Sequence, residues 1–456
     1  MKKIMSISLV TALAITSMNA ATVAELEERI AKLEKKVKSN KKTITDVKMH
    51  DAFDNIKFGV DFRNAIDSLS YKDNESGEKV DNPSLLTSRL YLTMAAAPTE
   101  GLIFKGKLAI YSMWGAEAYH IDDTPYKDWA ASSKPTDTLM RIKEAYFVYS
   151  THTGEQPISI SIGRRPSSNG FLANYRENEP EAGSPLAHIT NMEVNAAMVK
   201  LDWSRYIDGA YTKFVYGRAH TGEIEGVYGK TTDGRFPYAD KDTEAEDENV
   251  DFFVAVGDAY YNGQYKLMYQ WAHIFNTKGK NLDTTENKVD AGSADLFSLG
   301  LQVSGIGDGI SDFLDNTTVF VSGAYSNYNA KDGYSLLGSE DGESQDGTSI
   351  WTGIIIPDMI TESGKIGLEY NHGSKYWTPM TWAEDTAIGS KVAVRGDAYE
   401  AYWNFNLFGV EYLPSQVRYT YAQHNYTPNI NCAGWVDSKK VDITAQDLRF
   451  SVSYRY

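Results

Sequence analysis

From about residue 54 onward, apolar and polar residues alternate with a period of two. In the first such stretch Ile56, Phe58, Val60 and Phe62 alternate with Lys57, Gly59, Asp61 and Arg63, which puts an apolar comb on one face of an extended strand and charge on the other. Including this one, at 54–72, sixteen combs recur along the chain: the others span about 85–98, 101–115, 139–152, 157–168, 195–206, 210–220, 250–262, 264–277, 294–306, 315–330, 349–358, 361–378, 391–408, 410–427 and 441–456. The facing of 139–152 stays open, because Ile142, Tyr146 and Val148 compete with Phe147 and Tyr149. The connections alternate in length. Tight ones include Pro98 to Gly101, Gly154 to Pro157, Ile207 to Gly209, Asn262 with Gly263, and Phe408 with Gly409; long ones cover 73–84, 116–138, 169–194, 221–249, 278–293, 331–348, 379–390 and 428–440. An up-and-down antiparallel barrel, with tight turns at one rim and extended loops at the other, predicts this rhythm. The Greek-key connections of a soluble sandwich do not.

A different period governs the N-terminal region. Val23, Leu26, Ile30, Leu33, Val37, Asn40, Ile44 and Val47 recur at alternating steps of three and four, the seam of a coiled coil, with Asn40 as a register-setting polar core residue. The seam is short enough to need something else holding its copies together, and a trimer would supply it. A single amphipathic helix packed on its own domain is the plainer alternative. Before the seam, Lys2 and Lys3 precede a mildly apolar stretch and small residues ending near Ala20, which reads as an export signal. The expected organisation is therefore a signal peptide at 1–20, a periplasmic coiled-coil segment at 21–50 and an all-β transmembrane barrel at 51–456.

Composition narrows the classes. The 456 residues carry 45 basic and 61 acidic side chains, a net charge of −16, which argues against general affinity for nucleic acid. No apolar run beyond the N-terminus is long enough for a membrane helix. Aromatic residues at 12% argue against disorder. Cys432 is the only cysteine, so no disulfide framework, four-cysteine zinc site or c-type haem attachment exists. Residues 21–50 are net basic. That suits contact with an anionic cell-wall polymer such as peptidoglycan, and equally suits a plain solvated face.

The final comb alternates Leu448, Phe450, Val452, Tyr454 and Tyr456 with Arg449, Ser451, Ser453 and Arg455. With outward aromatics such as Trp203, Tyr265, Tyr269, Trp271, Tyr399, Trp403, Tyr419 and Tyr421, the sequence resembles the Gram-negative outer-membrane porin-like β-barrel superfamily. That resemblance implies a channel for small hydrophilic solutes in the outer membrane, in contact with lipid and lipopolysaccharide, with both chain ends at the periplasmic rim. It implies a homotrimer and a closing strand, marked by Phe450, Val452, Tyr454 and Tyr456, that the barrel-insertion machinery reads. Arg63, Arg89, Lys105, Lys107, Arg165, Lys200, Arg418, Arg449 and Arg455 would line the lumen, where a basic row favours anions. In general porins the third outer loop enters the lumen. By that resemblance Arg176, Glu177, Glu179 and Glu181 would form a constriction, with the glutamates facing Arg63, Arg89 and Arg165; a solvated surface loop is the alternative.

Motifs for other chemistry are missing. There is no GxSxG elbow, HExxH helix, P-loop or CxxCH, and the eight histidines are scattered, so no cofactor or resident metal is expected. The run Asp240, Asp242, Glu244, Glu246, Asp247, Glu248 and Asp251 offers hard oxygen ligands for Ca²⁺ or Mg²⁺, yet lacks the glycine of an EF-hand loop and reads more simply as a solvated acidic loop. The readings that compete with a passive porin are a substrate-specific channel for anionic nutrients, an outer-membrane lipase or protease, and a cell-wall tether.

Overall fold

The computed structural model describes residues 56–114, 139–179, 182–221, 249–284, 286–307, 309–361, 363–381, 384–429 and 434–456. The export segment, the coil positions Val23 to Val47, the acidic run 240–248, Glu181 and Cys432 lie outside the described residues. Sixteen long strands follow in order: β1 (Lys57–Asp73), β2 (Lys79–Thr99), β3 (Leu102–Met113), β4 (Arg141–Thr153), β5 (Gln156–Ser167), β6 (Thr190–Asp202), β7 (Tyr211–His220), β8 (Val250–Tyr261), β9 (Tyr265–Asn281), β10 (Asn287–Ser304), β11 (Thr318–Ala330), β12 (Gln345–Pro357), β13 (Lys365–Gly373), β14 (Gly396–Asn406), β15 (Pro414–Tyr426) and β16 (Lys440–Arg455). Each pairs antiparallel with the next, and β16 pairs back onto β1 over the register Asp61–Arg455 to Asp73–Ile443. The result is a closed antiparallel barrel without a free sheet edge, which lets every wall strand satisfy its backbone inside lipid.

The period of two sets the two faces of the wall. On β1, Arg63, Ala65, Asp67 and Leu69 are buried inside while Phe58, Phe62 and Ile66 are exposed outside; on β16, Arg449, Ser451 and Ser453 are buried and Leu448, Phe450 and Tyr454 exposed. An exposed apolar band around a whole molecule suits a bilayer and not water. Outward rings also pack on one another, as Trp271 does on Phe297 with centroids 6.3 Å apart and Trp403 on Phe405 at 4.2 Å.

At the loop-bearing rim, five successive hairpins carry the same outward device. Asp251 accepts from Tyr216 (2.9 Å) and Arg218 (2.6 Å), Asp295 from Trp271 and His273 (both 2.9 Å), and Asp346 from Tyr325 and Asn327 (both 2.6 Å). Asp397 accepts from Tyr370 (2.7 Å) and His372 (2.9 Å), and Asp442 from Gln423 (2.7 Å) and Asn74 (2.8 Å). A carboxylate at the lipid edge is costly unless hydrogen-bonded, and each of these is.

The connections depart from the expected rhythm in places. The first and fifth outer connections, expected at 73–84 and 278–293, shrink to 74–78 and 282–286, because β1, β2, β9 and β10 keep pairing beyond their apolar combs. At the other rim, residues 305–317 form a longer connection with one helical turn, Asp312–Asp315, capped by Ser311. On β4 a register shift opposite Lys107 and Leu108 explains the unclear facing, since Lys143 and Glu144 both line the interior.

Candidate functional site: a lumen divided in two

Two outer connections, described at residues 168–179 and 182–189 and at 374–381 and 384–395, fold into the barrel. Both carry large apolar side chains that water would not stabilise. Phe171, Leu172, Leu186 and Ile189 from the first, with Trp377, Met380 and Val392 from the second, join one buried cluster with the inner faces of β6 and β8–β12, including Phe252, Met268, Leu296 and Trp351. The two connections are also tied to each other: Met380 N–H donates to the Ile189 carbonyl at 3.0 Å, beginning a short parallel pairing of Met380–Thr381 with Thr190–Asn191. His188 lies between the Ser322 and Ser349 hydroxyls, 2.8 and 2.9 Å away, and edge-on to Trp351 and Trp377. Burial pushes its imidazole down to about 3, so it is neutral here. Gly347 on β12 permits this packing, for a Cβ there would stand 2.5 Å from the Trp377 backbone.

The opposite half of the lumen is ionic. Arg63 faces Arg89 across β1 and β2, and Arg418 faces Arg449 across β15 and β16. All four are at most 6% exposed. Such like-charge pairs repel unless a counter-ion is placed between them. The second inward connection supplies it in Asp385, whose carboxylate lies 3.2 Å from Arg63 Nη1, 2.8 Å from Arg89 Nη1 and 3.0 Å from Arg449 Nη1, while Arg418 Nη2 donates to its backbone carbonyl at 2.9 Å. Burial opposes ionisation of Asp385, but Arg89, Arg63, Arg449 and Arg418 together outweigh it and hold its carboxyl well below the usual range. Beside this cage Arg176 pairs with Glu177 (2.6 Å) and with Glu384 (3.0 Å), and Lys391 pairs with Glu369 (2.7 Å) and Glu400. A buried ionic network thus locks both inward connections to β13 and β14.

The remaining sequence-derived positions are distributed around this centre. Arg455 reaches Asp61 at 3.1 Å, Lys107 reaches Glu144 at 2.6 Å, and Lys200 reaches Asp202 at 3.7 Å. Arg165 is held by Ser161 and lies over the Tyr146 ring at 5.2 Å. Lys105 shares the face of Lys107 and is exposed. Glu177 and Glu179 share a cavity with Arg89, and Glu177 one with Arg63 as well, but among the described residues neither forms an ion pair with them. Glu177 is held by its neighbour Arg176, Glu179 accepts from Asn169 Nδ2 at 3.2 Å, and the acid among Arg63 and Arg89 is Asp385. Burial pushes the Glu179 carboxyl up. Asp385 was missed because the stretch 379–390 reads as an ordinary outer loop. Its signal was the run of Tyr376, Trp377, Met380 and Trp382 just before the acidic pair Glu384 and Asp385, too apolar for a solvated loop.

Between the inward connections and the wall from β1 to β6 lies a cavity of about 710 Å³. Arg89, Lys107 and Lys143 with Asp61, Glu144, Glu193, Tyr91 and Tyr111 line its wall side, and Glu177, Glu179, Glu384 and Asp385 its loop side. Three cations converge on the Tyr91 ring, with Arg89, Lys107 and Lys143 at 4.3, 5.6 and 5.5 Å from its centroid. Among the described residues no group of three or more His, Cys, Asp or Glu is placed to hold a metal ion.

An apolar outer wall of sixteen closed strands around a charged, loop-narrowed interior defines a transmembrane antiparallel β-barrel. More particularly, the chain belongs to the family described as "Protein of unknown function (DUF3373)", whose model matches residues 79–452. No curated protein matches the sequence. Among solved structures, the chain is similar to OprB of Pseudomonas putida (13% identity, TM-score 0.49, covering 90% of this chain and 96% of that one). It is also similar to the anion-selective porin of Comamonas acidovorans (11%, 0.46, 88% and 100%) and to the outer-membrane protein OmpT of Vibrio cholerae (12%, 0.46, 88% and 97%). Likeness at this level says nothing about the solutes this chain handles.

Proposed function

We propose that the protein is an outer-membrane channel for small hydrophilic solutes. The observation that carries this reading is the charged cavity of about 710 Å³ inside a wall whose outer face is apolar. A hydrated solute cannot cross hydrocarbon, and a polar lumen replaces that barrier without making or breaking a bond. The packed half of the lumen narrows the route, so the channel is selective by size. A second reading, a channel specific for anionic nutrients, is favoured by the arginine cage. In this proposal the segment 1–20 directs export and 21–50 forms a periplasmic coil that supports a homotrimer. Phe450, Val452, Tyr454 and Tyr456 are the strand read during insertion, and lipopolysaccharide surrounds the rim. Single-channel conductance of the purified protein in a planar bilayer under a salt gradient tests it. Discrete steps closing in thirds are expected, with a reversal potential that reports anion or cation preference. A silent protein would overturn the channel and move the weight to an enzyme or a wall tether.

A further inference from the structure

Asp385 occupies the four-arginine cage as a bound anion would. Its backbone comes from a connection anchored elsewhere, by the buried Trp377 on one side and by the Lys391 network on the other. Around it, Asp67 holds Arg449, and Asp61 is shared by Arg89 (3.4 Å) and Arg455 (3.1 Å). Arg63 has no other carboxylate within ion-pair distance among the described residues, and the acids nearest Arg418, Glu400 and Asp447, stand 3.9 Å away. The Nε atoms of Arg63, Arg89 and Arg418 are buried and have no hydrogen-bond acceptor among the described residues. The cage therefore has more donor capacity than Asp385 uses.

Position adds the second half of the argument. Arg89 and Asp385 line the large cavity, and both also line a small polar cavity of about 40 Å³ whose walls include Arg63, Arg418, Arg449 and Arg455. Asp385, Arg89 and Glu177 line both spaces, and the remaining guanidinium groups line the small one.

We propose that the cage is a binding site for small carboxylates on the anion route, which exchange with the Asp385 carboxylate and take its place among the four arginines. This rests on the channel reading and adds its ligand class. The exchange conserves charge, since one carboxylate replaces another, and needs no chemical step. An internal ligand that fills its own site lowers the apparent affinity for an external one by the fraction of time the site stands free. Removing it should raise that affinity.

The test uses the full-length protein with malonate as probe and acetate, phosphate and chloride as comparison anions. In bilayers, malonate should block the chloride current of the wild type saturably. Asp385→Asn should lower the half-blocking concentration by about tenfold or more, because the competing carboxylate is gone, and shift the reversal potential toward anions. Arg63→Gln added to Asp385→Asn should abolish the block. Calorimetric titration of the detergent-solubilised protein with malonate runs in parallel, so that a silent barrel which still binds malonate in the Asp385→Asn form would sink the channel and keep the site. Equal malonate affinity in wild type and Asp385→Asn, or none in either, would overturn the proposal. Preference for phosphate over malonate would overturn the carboxylate assignment. Should Asp385→Asn fail to fold, wild type against Arg63→Gln decides: unchanged malonate binding on losing Arg63 refutes the cage.

Discussion

One half of the lumen is filled by Phe171, Leu186, Trp351 and Trp377, the other by Arg63, Arg89, Arg418, Arg449 and Asp385, and the two halves hold the same pair of inward connections by opposite means. Apolar packing is non-directional, has no external competitor in water, and is lost only when volume is lost. An ionic clasp depends on partners that water, protons and solute anions can replace. Under the carboxylate proposal, the apolar half and the Lys391 network are the fixed anchors and the four-arginine cage is the part open to exchange.

The sharpest way to break that division is Lys391→Met. It strands Glu369 and Glu400 as buried carboxylates without their ammonium, and loss of one partner of a buried pair costs about 3–5 kcal/mol; a lower thermal transition of the folded barrel, followed by its heat-dependent electrophoretic mobility, is the expected result. Trp377→Phe is expected to be milder. It removes the indole donor to the Val392 carbonyl, now 2.7 Å away, and part of a fully buried ring, for a loss of about 1–3 kcal/mol and a larger channel conductance as the packed half loosens.

Acidity should separate the halves without any mutation. The His188 folded value of about 3 lies below its ordinary value near 6.5, so the unfolded chain takes up the proton first and stability is lost as pH falls from about 6.5 towards 3, by at most about 1.4 kcal/mol per pH unit. Asp385 acts lower: its depressed carboxyl contributes stability that is present above the usual carboxylate range and is lost only as pH falls through the folded value. His188→Gln should flatten the first limb of a thermal-stability profile and leave the acid limb in place. An unchanged first limb would show that the apolar half does not titrate through His188. The smallest effect is expected outside the lumen, where Asp346→Asn keeps an acceptor for Tyr325 and Asn327 and should shift stability by less than about 1 kcal/mol.

The wall was readable because its cause is local: a strand between lipid and water must alternate, and sixteen segments do. Strand ends were less so, since the apolar comb stops at the membrane edge while the hydrogen-bonded ladder runs on, as in β9 to Asn281 and β10 from Asn287. The filled lumen left a fainter mark. β8 reads Phe252, Phe253, Val254, Ala255 and Val256, apolar on both faces, which a strand lining a water-filled bore would not be. The cage itself was hidden by distance. Inward arginines follow from alternation, but their counter-ion lies 322 residues from Arg63 and 64 from Arg449, and no spacing rule joins them.

The seam between β1 and β16 gives the cage a place in time. Two of its arginines arrive with the first two strands and two with the last two, so the site is half built until the chain's ends meet, the loop closure with the greatest entropic cost in the molecule. An incompletely closed barrel would offer Asp385 only one of the two cross-strand arginine pairs at a time, and settling it among all four rewards only the finished ring. The same residues that a passing anion would meet thus also register that assembly is complete.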